Sequence, residues 1–514
     1  MFLIGDILPM AARKYPNNIS VVSEEARFTF KKSNERMLRL ANSLLKLGIQ
    51  KGDRIAIMQT NGYQYLETML ACAHIGAVFV SINYRLRPDE IEYLINDSGA
   101  TVFFVGKRYV PIIDSIRTKI PHVKTYICFE QSSVSMLDYE DLVKQGIPKE
   151  VRVEGLDSHS ILKIQYSSGT TGFPKGAMIT HEAAMARLTS NVFNLLKPGD
   201  KLYSAGTMFH IAGFGYNFTA WINGATVYTL KQFEKKTVAD LIEKEKLTCC
   251  FLVPSMLNFI LNLPDIDRYD LSSLKYIGYG SAPMPLSLLK KSMDKFDCQF
   301  FNMFGASETG TTTCLIPEDH KISGSTQELS RLNSVGKALP YTDIRVVNED
   351  GEDIAPGEVG EIIIKSATNM IGYWNKPEET AETVIDGWLH IGDMVTVDED
   401  GYYYVVDRKK DMIIRGGENI YPVEIENVLY QHPAILEASV FGTPDEAWGE
   451  NVKAVVVLKP DCVIDSAELI AYCKTKLASY KCPASVEFTD QLPRNGMGKV
   501  LKRELREQYR SVIR

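Results

Sequence analysis

Residues 161–178 read ILKIQYSSGTTGFPKGAM, and they decide the fold because a strand-like apolar run leads directly into a glycine-rich loop. The loop sets four hydroxyl residues and three glycines around one lysine, Lys175. Glycines let backbone N–H groups turn toward oxyanions, hydroxyls add donors and a lysine neutralises negative charge, so the loop suits a polyphosphate. It is not a Walker A loop, because Pro174 stands five residues after Gly169, where that motif has glycine. On composition alone, a flexible surface loop is an equal alternative.

Helical and strand-like patterns alternate on the N-terminal side of this loop. Apolar residues recur at helical spacing over 37–47 and 63–74, and strand-like runs cover 54–58, 77–82 and 101–105. This alternation predicts an α/β fold, in which helices cover parallel sheets.

The pattern of predicted elements changes on the C-terminal side of the loop. From Asp343 onward, short strands with glycine-rich turns predict a small antiparallel β subdomain. The charged run DRKKD, residues 407–411, precedes a last segment of roughly a hundred residues that has its own helices and strands. We therefore predict a large N-terminal domain over 1–407, a hinge at 408–412 and a small mobile α/β domain over 413–514.

The bulk composition agrees with a globular enzyme of at least two domains. The chain has 514 residues, of which 45% are hydrophobic and 24% charged. A net charge of -7 gives no basic field for a polyanion, so nucleic acid is an unfavourable partner and a small substrate is the default.

Several features favour a cytoplasmic protein. The nine cysteines form no CxxC pair and no Cys/His cluster, which fits a reducing compartment without a metal cluster. The N-terminal residues do not resemble a secretory signal, and the ending SVIR is not a peroxisomal address. The longest apolar run, 68–84, is interrupted by His74 and Gly76 and predicts helix, turn and strand rather than a membrane span.

The order of residues in the loop carries a resemblance. SSGTTGxPKG is similar to the signature of the adenylate-forming superfamily of acyl-CoA synthetases, luciferases and peptide-synthetase adenylation domains. Four more segments resemble that family in the expected order, so the resemblance covers essentially the whole chain. They are GSAP at 280–283, NMFGASETG at 302–310, WLHIGD at 388–393 and PRNGMGKVLKREL at 493–505.

The resemblance implies an ATP site built from the loop, the GSAP turn and the NMFGASETG segment. The implied nucleotide contacts are Ser167, Ser168, Gly169, Thr170, Thr171, Gly172, Lys175, Gly280, Ser281, Ala282, Pro283, Asn302, Phe304, Gly305 and Ser307. Asp393 and Arg408 would hold the ribose, and Glu308 and Thr170 would hold Mg²⁺.

Two residues of this set depart from the family pattern. Phe304 stands where tyrosine is usual and Ser307 where threonine is usual, so a stacking ring and a hydroxyl survive but a tyrosine hydroxyl is lost. Taken alone, Ser307 and Glu308 also fit a helix N-cap with an acid in its first turn. The GSAP segment and the pair Gly392 and Asp393 also fit ordinary turns, and the charged run DRKKD also fits a solvated linker.

The resemblance assigns catalysis to Lys499, Lys175, Thr170 and Glu308. In adenylation a carboxylate must approach a negatively charged α-phosphate, and a cation that contacts both, Lys499, lowers that barrier. A thiol must then reach the same carbonyl carbon. The family meets this need by rotating its C-terminal domain about a hinge residue, here Lys410, so that Gly416 and Gly417 face the thiol.

The acid site is implied by YSAGTMFHIAGFG, residues 203–215, together with glycines of a later segment. The implied acyl contacts are His210, Gly213, Phe214, Gly278 and Gly280. A lone histidine is more often a satisfied core residue. MFHIAGF offers no acid to hold an amino group, which disfavours an amino acid substrate. Gly213, Gly215, Gly278 and Gly280 are expected to leave room for a long chain or a flat ring, with a medium or long fatty acid slightly ahead of an aryl acid.

The sequence therefore predicts a ligase that makes acyl-AMP from a carboxylic acid and ATP and then transfers the acyl group to coenzyme A. The open alternatives are transfer to a carrier protein, a luciferase-like oxygenase and a non-catalytic nucleotide-binding scaffold. A homodimer is compatible with the sequence, which does not fix the oligomeric state.

Overall fold

The computed structural model describes residues 2–130, 135–166, 174–189, 195–409, 411–416, 418–445, 448–494 and 500–510. Within these ranges the strands form four sheets, of seven, nine, five and five members. Helices alternate with the strands of the first two sheets, and the C-terminal region has a small sheet with helices of its own. The predicted fold class is confirmed, whereas the division at 408–412 stays a prediction.

The first sheet contains the strand that leads into the glycine-rich loop. In spatial order its strands are Leu137–Asp138, Thr125–Cys128, Val102–Val105, Arg54–Met58, Val78–Ser81, Ile161–Tyr166 and Gly176–Thr180. The runs predicted at 54–58, 77–82 and 101–105 lie side by side in this sheet as parallel strands. They are almost wholly buried, as continuous apolar runs in a parallel sheet covered on both faces should be.

The second sheet carries two of the predicted nucleotide segments. In spatial order its strands are Lys337–Ala338, Gly310–Leu315, Gln299–Ala306, Tyr276–Gly280, Cys249–Phe251, Lys201–Ser204, Thr226–Tyr228, Ile19–Val22 and Arg27–Thr29. The six strands from Gln299–Ala306 to Ile19–Val22 are parallel, and the outer pairs are antiparallel.

One helix joins the cores of these two sheets. From Ile211–Ile222, the Phe214 ring packs 6.1 Å from the ring of Phe79 in the first sheet. Two residues later, the Tyr216 ring stacks 4.1 Å from that of Phe251 in the second sheet. Aromatic contacts on opposite faces of one helix therefore fix the distance between the sheets.

The α-helices begin and end where the sequence supplies local signals. Thr29 caps the helix Phe30–Lys46 by accepting from Lys32 N at 3.2 Å, and the helix Tyr63–Ile75 ends at Gly76 in the left-handed conformation. The helices are Ile7–Lys14, Phe30–Lys46, Tyr63–Ile75, Pro88–Ser98, Val110–Ile116, Tyr139–Gln145, His181–Thr189, Ile211–Ile222, Lys235–Glu245, Pro254–Leu261, Leu286–Phe296, Thr326–Ser330, Pro377–Thr383, Pro422–Leu429, Ser466–Lys474 and Lys502–Arg510. Among the described residues, no α-helix combines the length and the hydropathy that a bilayer span needs.

The third sheet is antiparallel, as predicted from residue 343 onward. Its strands are Thr342–Val347, Gly360–Ser366, Trp388–Val397, Val384–Ile385 and Tyr403–Arg408. The fourth sheet belongs to the C-terminal segment and has its own apolar core, which includes Ile425, Val440 and Leu469. Its strands are Glu418–Ile420, Ile413–Arg415, Gly449–Leu458, Ile435–Asp445 and Ser485–Phe488.

Asp407, in the strand Tyr403–Arg408 of the third sheet, should make stability depend on pH. Its buried carboxylate accepts from Arg408 N at 2.7 Å and from Val423 N at 3.3 Å. Burial raises the pKa of Asp407 from 3.8 to about 6, although Lys502 opposes this rise. Asp407 therefore stabilises the fold most below the unfolded pKa, and this contribution is lost as the pH rises through about 6. The full change is about 3 kcal/mol, of which about half falls above pH 5.

The variant Asp407→Asn cannot titrate, so it should gain melting temperature relative to wild type as the pH rises from about 5 to about 7. Thermal unfolding of both proteins across this range measures the gain. Glu328→Gln is the control, because the partly exposed Glu328 pairs with Lys321 and its pKa is lowered to about 2. Its difference from wild type should stay constant over the same range. A constant difference for Asp407→Asn as well would contradict the argument from burial.

Candidate active site

Part of the predicted site lies outside the described residues. These residues are Ser167, Ser168, Gly169, Thr170, Thr171, Gly172, Lys410, Gly417 and Lys499. Their roles stay predictions. The remaining predicted residues can be located, and most of them gather where strands of the first, second and third sheets end or turn.

Two parallel strands bring the GSAP turn beside the NMFGASETG segment. Tyr276–Gly280 pairs with Gln299–Ala306 so that Gly280 lies opposite Met303. The carboxyl ends of parallel strands share one edge of a sheet, which is where α/β proteins bind ligands. A Cβ atom on Gly280 would lie 2.4 Å from the Met303 carbonyl oxygen, so glycine is needed for this close approach.

The turn after this edge has a strained backbone. Ser281 has a φ of +66°, in the left-handed region that non-glycine residues rarely adopt. Such a conformation costs about 1–3 kcal/mol and is typically retained at ligand sites. Ala282 is half-buried, whereas Ser281 and Pro283 are exposed.

Asn302 presents a buried acceptor at the same edge. Its side chain is 7% exposed, and its Oδ1 atom has no hydrogen-bond partner among the described residues. A buried polar atom without a partner costs about 1–3 kcal/mol, so it calls for an explanation such as a ligand donor.

Ser307 and Glu308 lie in a β-hairpin turn, so the alternative of a helix N-cap is wrong. The turn, residues 307–309, joins Gln299–Ala306 to Gly310–Leu315. Gly305 allows the strands to close, since a Cβ atom there would lie 1.8 Å from the Gly310 carbonyl oxygen.

The Glu308 side chain and backbone are both held. Its carboxylate Oε1 accepts from the Tyr373 hydroxyl at 3.1 Å. Its carbonyl oxygen accepts from Met370 N at 2.7 Å and from the Arg187 guanidinium at 3.0 Å. Neither Tyr373 nor Arg187 was predicted, because each is a single residue without a surrounding motif.

Tyr373 also contacts Lys175, which brings the phosphate loop toward Glu308. Residues 370–374 run beside the strand that follows the loop, with Trp374 N donating to Gly176 O at 2.8 Å and Met178 N donating to Gly372 O at 2.9 Å. The Lys175 Nζ atom lies 5.2 Å from the centre of the Tyr373 ring, within cation–π distance. Lys175 and Glu308 thus contact the same tyrosine, one through the ring and the other through the hydroxyl.

The predicted ribose pair is brought together across two antiparallel strands. Asp393 lies opposite Arg408, and Arg408 Nε is 3.0 Å from Asp393 Oδ1. Asp393 is buried and lies inside the ten-residue strand Trp388–Val397, rather than in a turn or at the end of a strand. Phe304 packs against the apolar cluster of the same sheet, which includes Val395, two residues after Asp393.

The predicted acyl residues do not all meet. His210 caps the helix Ile211–Ile222, its Nδ1 accepting from Ala212 N at 3.5 Å. Phe214 packs toward the first sheet, away from Gly278 and Gly280 in the second. Tyr216 borders those glycines instead, because its hydroxyl contacts Met303 Sδ at 3.0 Å and Met303 lies opposite Gly280.

The expectation of open room agrees with Gly215, where a Cβ atom would meet no atom within 4 Å, but it is wrong for Gly213, Gly278 and Gly280. A Cβ atom on Gly213 would lie 2.4 Å from Thr207 O, and one on Gly278 would lie 2.5 Å from the Phe301 ring. Gly280 meets Met303 in the same way. The missing side chains therefore allow close packing instead of opening a cavity.

The predicted thiol face carries aromatic rings and cations. Trp448 lies beside Gly416, and the Arg415 guanidinium is 5.8 Å from the centre of the Trp448 ring. Arg415 also donates to Tyr480 O at 2.8 Å. The side chains of Trp448 and Tyr480 are largely exposed, so they form an accessible aromatic and basic surface around Gly416.

Comparison with known proteins agrees with this geometry. Residues 8–374 match the model of the AMP-binding enzyme family, and residues 424–499 match that of the AMP-binding enzyme C-terminal domain. The chain is 38% identical to a feruloyl-CoA synthase of Amycolatopsis, over 97% of both chains. It is 36% identical to the long-chain-fatty-acid–CoA ligase FadD13 of Mycobacterium tuberculosis, over 96% of this chain and 95% of that protein.

A solved structure resembles the whole chain. The anthranilate CoA ligase AuaEII in complex with anthranoyl-AMP superposes with a TM-score of 0.91 and 26% sequence identity, covering 99% of this chain and 98% of that one. The resemblance predicted from the sequence is thereby confirmed. The chain belongs to the AMP-binding enzyme family, the family of AMP-forming CoA ligases.

Proposed function

We propose that the protein activates a carboxylic acid with ATP and transfers the acyl group to coenzyme A. In the first step, a carboxylate oxygen attacks the α-phosphorus of ATP and pyrophosphate leaves. In the second, the coenzyme A sulfur attacks the acyl carbon, loses its proton, and AMP leaves. The observation that carries this proposal is the convergence of Lys175, Tyr373 and Glu308 near the edge that presents Asn302.

The nucleotide would be held by complementary groups. The buried Asn302 Oδ1 suits the exocyclic amine of adenine, which donates hydrogen bonds, and the Phe304 ring suits a base. The Asp393 carboxylate can accept from both ribose hydroxyls while Arg408 keeps it oriented. The chemistry of this set supports a nucleotide better than a purely apolar ligand.

Mg²⁺ would fit beside Glu308. Proteins often hold Mg²⁺ with one carboxylate together with substrate phosphates. One oxygen of the Glu308 carboxylate accepts from Tyr373, and the second oxygen would contact the metal. Bound Mg²⁺ would neutralise charge on the phosphates during transfer. Lys175 would contact the phosphates from the loop side, with Tyr373 fixing its direction.

Coenzyme A fits the surface around Gly416. Exposed indole and phenol rings can stack on adenine, and the Arg415 guanidinium beside the Trp448 ring can bind a phosphate group. We also propose that the C-terminal segment rotates about Lys410, because the carboxyl group of the acid must meet Lys499 in the first step and the thiol in the second. A carrier protein remains the alternative acceptor.

Tyr216 favours an aryl acid over a fatty acid as the substrate, in contrast to the expectation from the sequence. Its ring and hydroxyl fill the space beside Phe251 and Met303, next to the strands that carry Gly278 and Gly280, which supports a short flat acid over a long chain. We therefore propose a flat aryl or arylpropenoic acid, in agreement with the feruloyl-CoA synthase relative. A medium or long fatty acid is the second candidate, and the similarity to FadD13 supports it.

The test is pyrophosphate release by purified protein with ATP, Mg²⁺ and a panel of acids from acetate to palmitate and from benzoate to ferulate, each with and without coenzyme A. We expect coenzyme A-dependent turnover that is highest for ferulate or cinnamate. A maximum at palmitate would reject the aryl acid and keep the ligase. A single burst of pyrophosphate, with no further turnover when coenzyme A is added, would favour a carrier protein as the acyl acceptor. No pyrophosphate or AMP from any acid would reject the proposed function.

A further inference from the structure

Arg187 lies in the helix that follows the strand Gly176–Thr180, which comes directly after the glycine-rich loop. Its hydrogen bonds reach the turn that carries Glu308. Its guanidinium donates to Thr368 O at 2.8 Å, to Ser307 O at 3.3 Å and to Glu308 O at 3.0 Å. The three acceptors belong to two segments that are remote from Arg187 in sequence. Arg187 therefore joins the helix His181–Thr189 to both segments that surround Glu308.

The surrounding chain is shaped to admit this side chain. Gly310, which ends the turn, has a φ of +72°, and a Cβ atom there would lie 2.8 Å from Arg187 Cγ. Arg187 is only 6% exposed, so its planar guanidinium is fixed by its neighbours. Met370 N bonds to the same Glu308 carbonyl oxygen as Arg187, which ties residues 368–370 to the turn a second time.

Arg187 also brings a positive charge close to the site. Burial lowers the pKa of Arg187 to about 9, and the nearby negative charge of Glu308 raises it. The side chain is therefore still protonated at neutral pH. That charge lies beside the turn that carries Glu308, the carboxylate that a divalent cation would contact.

We propose that Arg187 is a positioning residue for Glu308, which holds the metal-binding carboxylate at a fixed place relative to the loop that carries Lys175. The inference rests on the proposed function, in which Glu308 holds Mg²⁺ for ATP. The three described hydrogen bonds of Arg187 all end on the segments around Glu308. Its loss should therefore act on the metal and on the adenylation rate, and not on acid binding.

The test compares Arg187→Met and Arg187→Lys with wild type. The first readout is the Mg²⁺ concentration that gives half-maximal pyrophosphate release, and the second is binding of Mn²⁺ in the presence of ATP, followed by electron paramagnetic resonance without turnover. We expect Arg187→Met to weaken both by about tenfold, as the loss of charged hydrogen bonds predicts. Arg187→Lys should recover part of the loss, because lysine keeps the charge but not the planar fork. The KM for the acid should not change.

Arg39→Met is the matched control. Arg39 likewise joins segments that are distant in sequence, because it donates to Gly146 O at 2.8 Å and to Glu35 at 3.0 Å, but it lies on the helix Phe30–Lys46. It should lower the melting temperature and leave metal binding unchanged. If Arg187→Met also loses only melting temperature, the positioning role is rejected. If Arg187→Met does not fold, Arg187→Lys decides by the same two readouts. If the wild-type protein releases no pyrophosphate, the proposed function is rejected, and Mn²⁺ binding still tests the positioning role of Arg187.

Discussion

Replacing Glu308 by glutamine is expected to lower pyrophosphate release by about 10²–10³-fold, since the variant loses the charge that would hold Mg²⁺ on the phosphates. The amide keeps the shape of the side chain and can still accept from the Tyr373 hydroxyl, which lies 3.1 Å from the native carboxylate. The backbone bonds from Arg187 and Met370 to Glu308 do not depend on the side chain. The hairpin should therefore survive, and the loss reports the missing charge.

The measurement is pyrophosphate release at increasing Mg²⁺ with the best acid of the panel. Higher Mg²⁺ should restore only part of the rate. Transfer from chemically prepared acyl-AMP to coenzyme A should fall much less, because that step leaves no pyrophosphate to neutralise. Glu318→Gln serves as the control, as Glu318 is exposed and lies beyond the next strand. A Glu308→Gln rate within about threefold of wild type would contradict an electrostatic role of the size expected from such sites.

The sheets could be predicted because their signals are local. Apolar runs such as 54–58 and 101–105 are short, continuous and separated by helical patterns, which is what parallel strands buried on both faces require. The antiparallel sheet after residue 343 was predicted from its glycine-rich turns. The pairing of strands that are distant in sequence, such as Val78–Ser81 with Ile161–Tyr166, has no such local signal.

The site was predicted where its chemistry is concentrated in short segments. Asp393 and Arg408 come from separate short segments, and the structure pairs them across two strands. Arg187 and Tyr373 were missed because they reach Glu308 from 121 and 65 residues away in sequence. A buried arginine inside an alanine-rich helix looks like any other helical residue until its acceptors are known.

The glycines of the acyl region illustrate a different limit. A glycine in a sequence indicates that no side chain is tolerated, but the cause can be open space for a ligand or close approach of another chain segment. At Gly213, Gly278 and Gly280 the cause is close approach. The residue that we propose limits the acyl space is instead Tyr216, whose ring position follows from the packing of a helix between two sheets.

Replacing Lys499 by alanine is expected to separate the two half-reactions. Acyl-AMP formation should fall by about 10²–10³-fold, because a cation that bridges the carboxylate and the α-phosphate is lost. Transfer from preformed acyl-AMP to coenzyme A should stay close to the wild-type rate, since that step needs the lysine out of the way. Pyrophosphate release measures the first step, and thioester formation from prepared acyl-AMP measures the second.

The segments on either side of Lys499 support this use of the variant. Arg494 and Val500 pair as a short antiparallel bridge, and Leu501 N donates to Pro493 O at 2.8 Å. Arg494 pairs with Glu437, and Lys502 lies 3.0 Å from Glu426, so both ends are anchored to the C-terminal segment. Truncation of the lysine should therefore leave the fold intact, and the exposed Lys476→Ala is the matched control. Equal losses in both half-reactions would mean that Lys499 acts through the structure of the C-terminal segment. No loss in either would remove Lys499 from the mechanism.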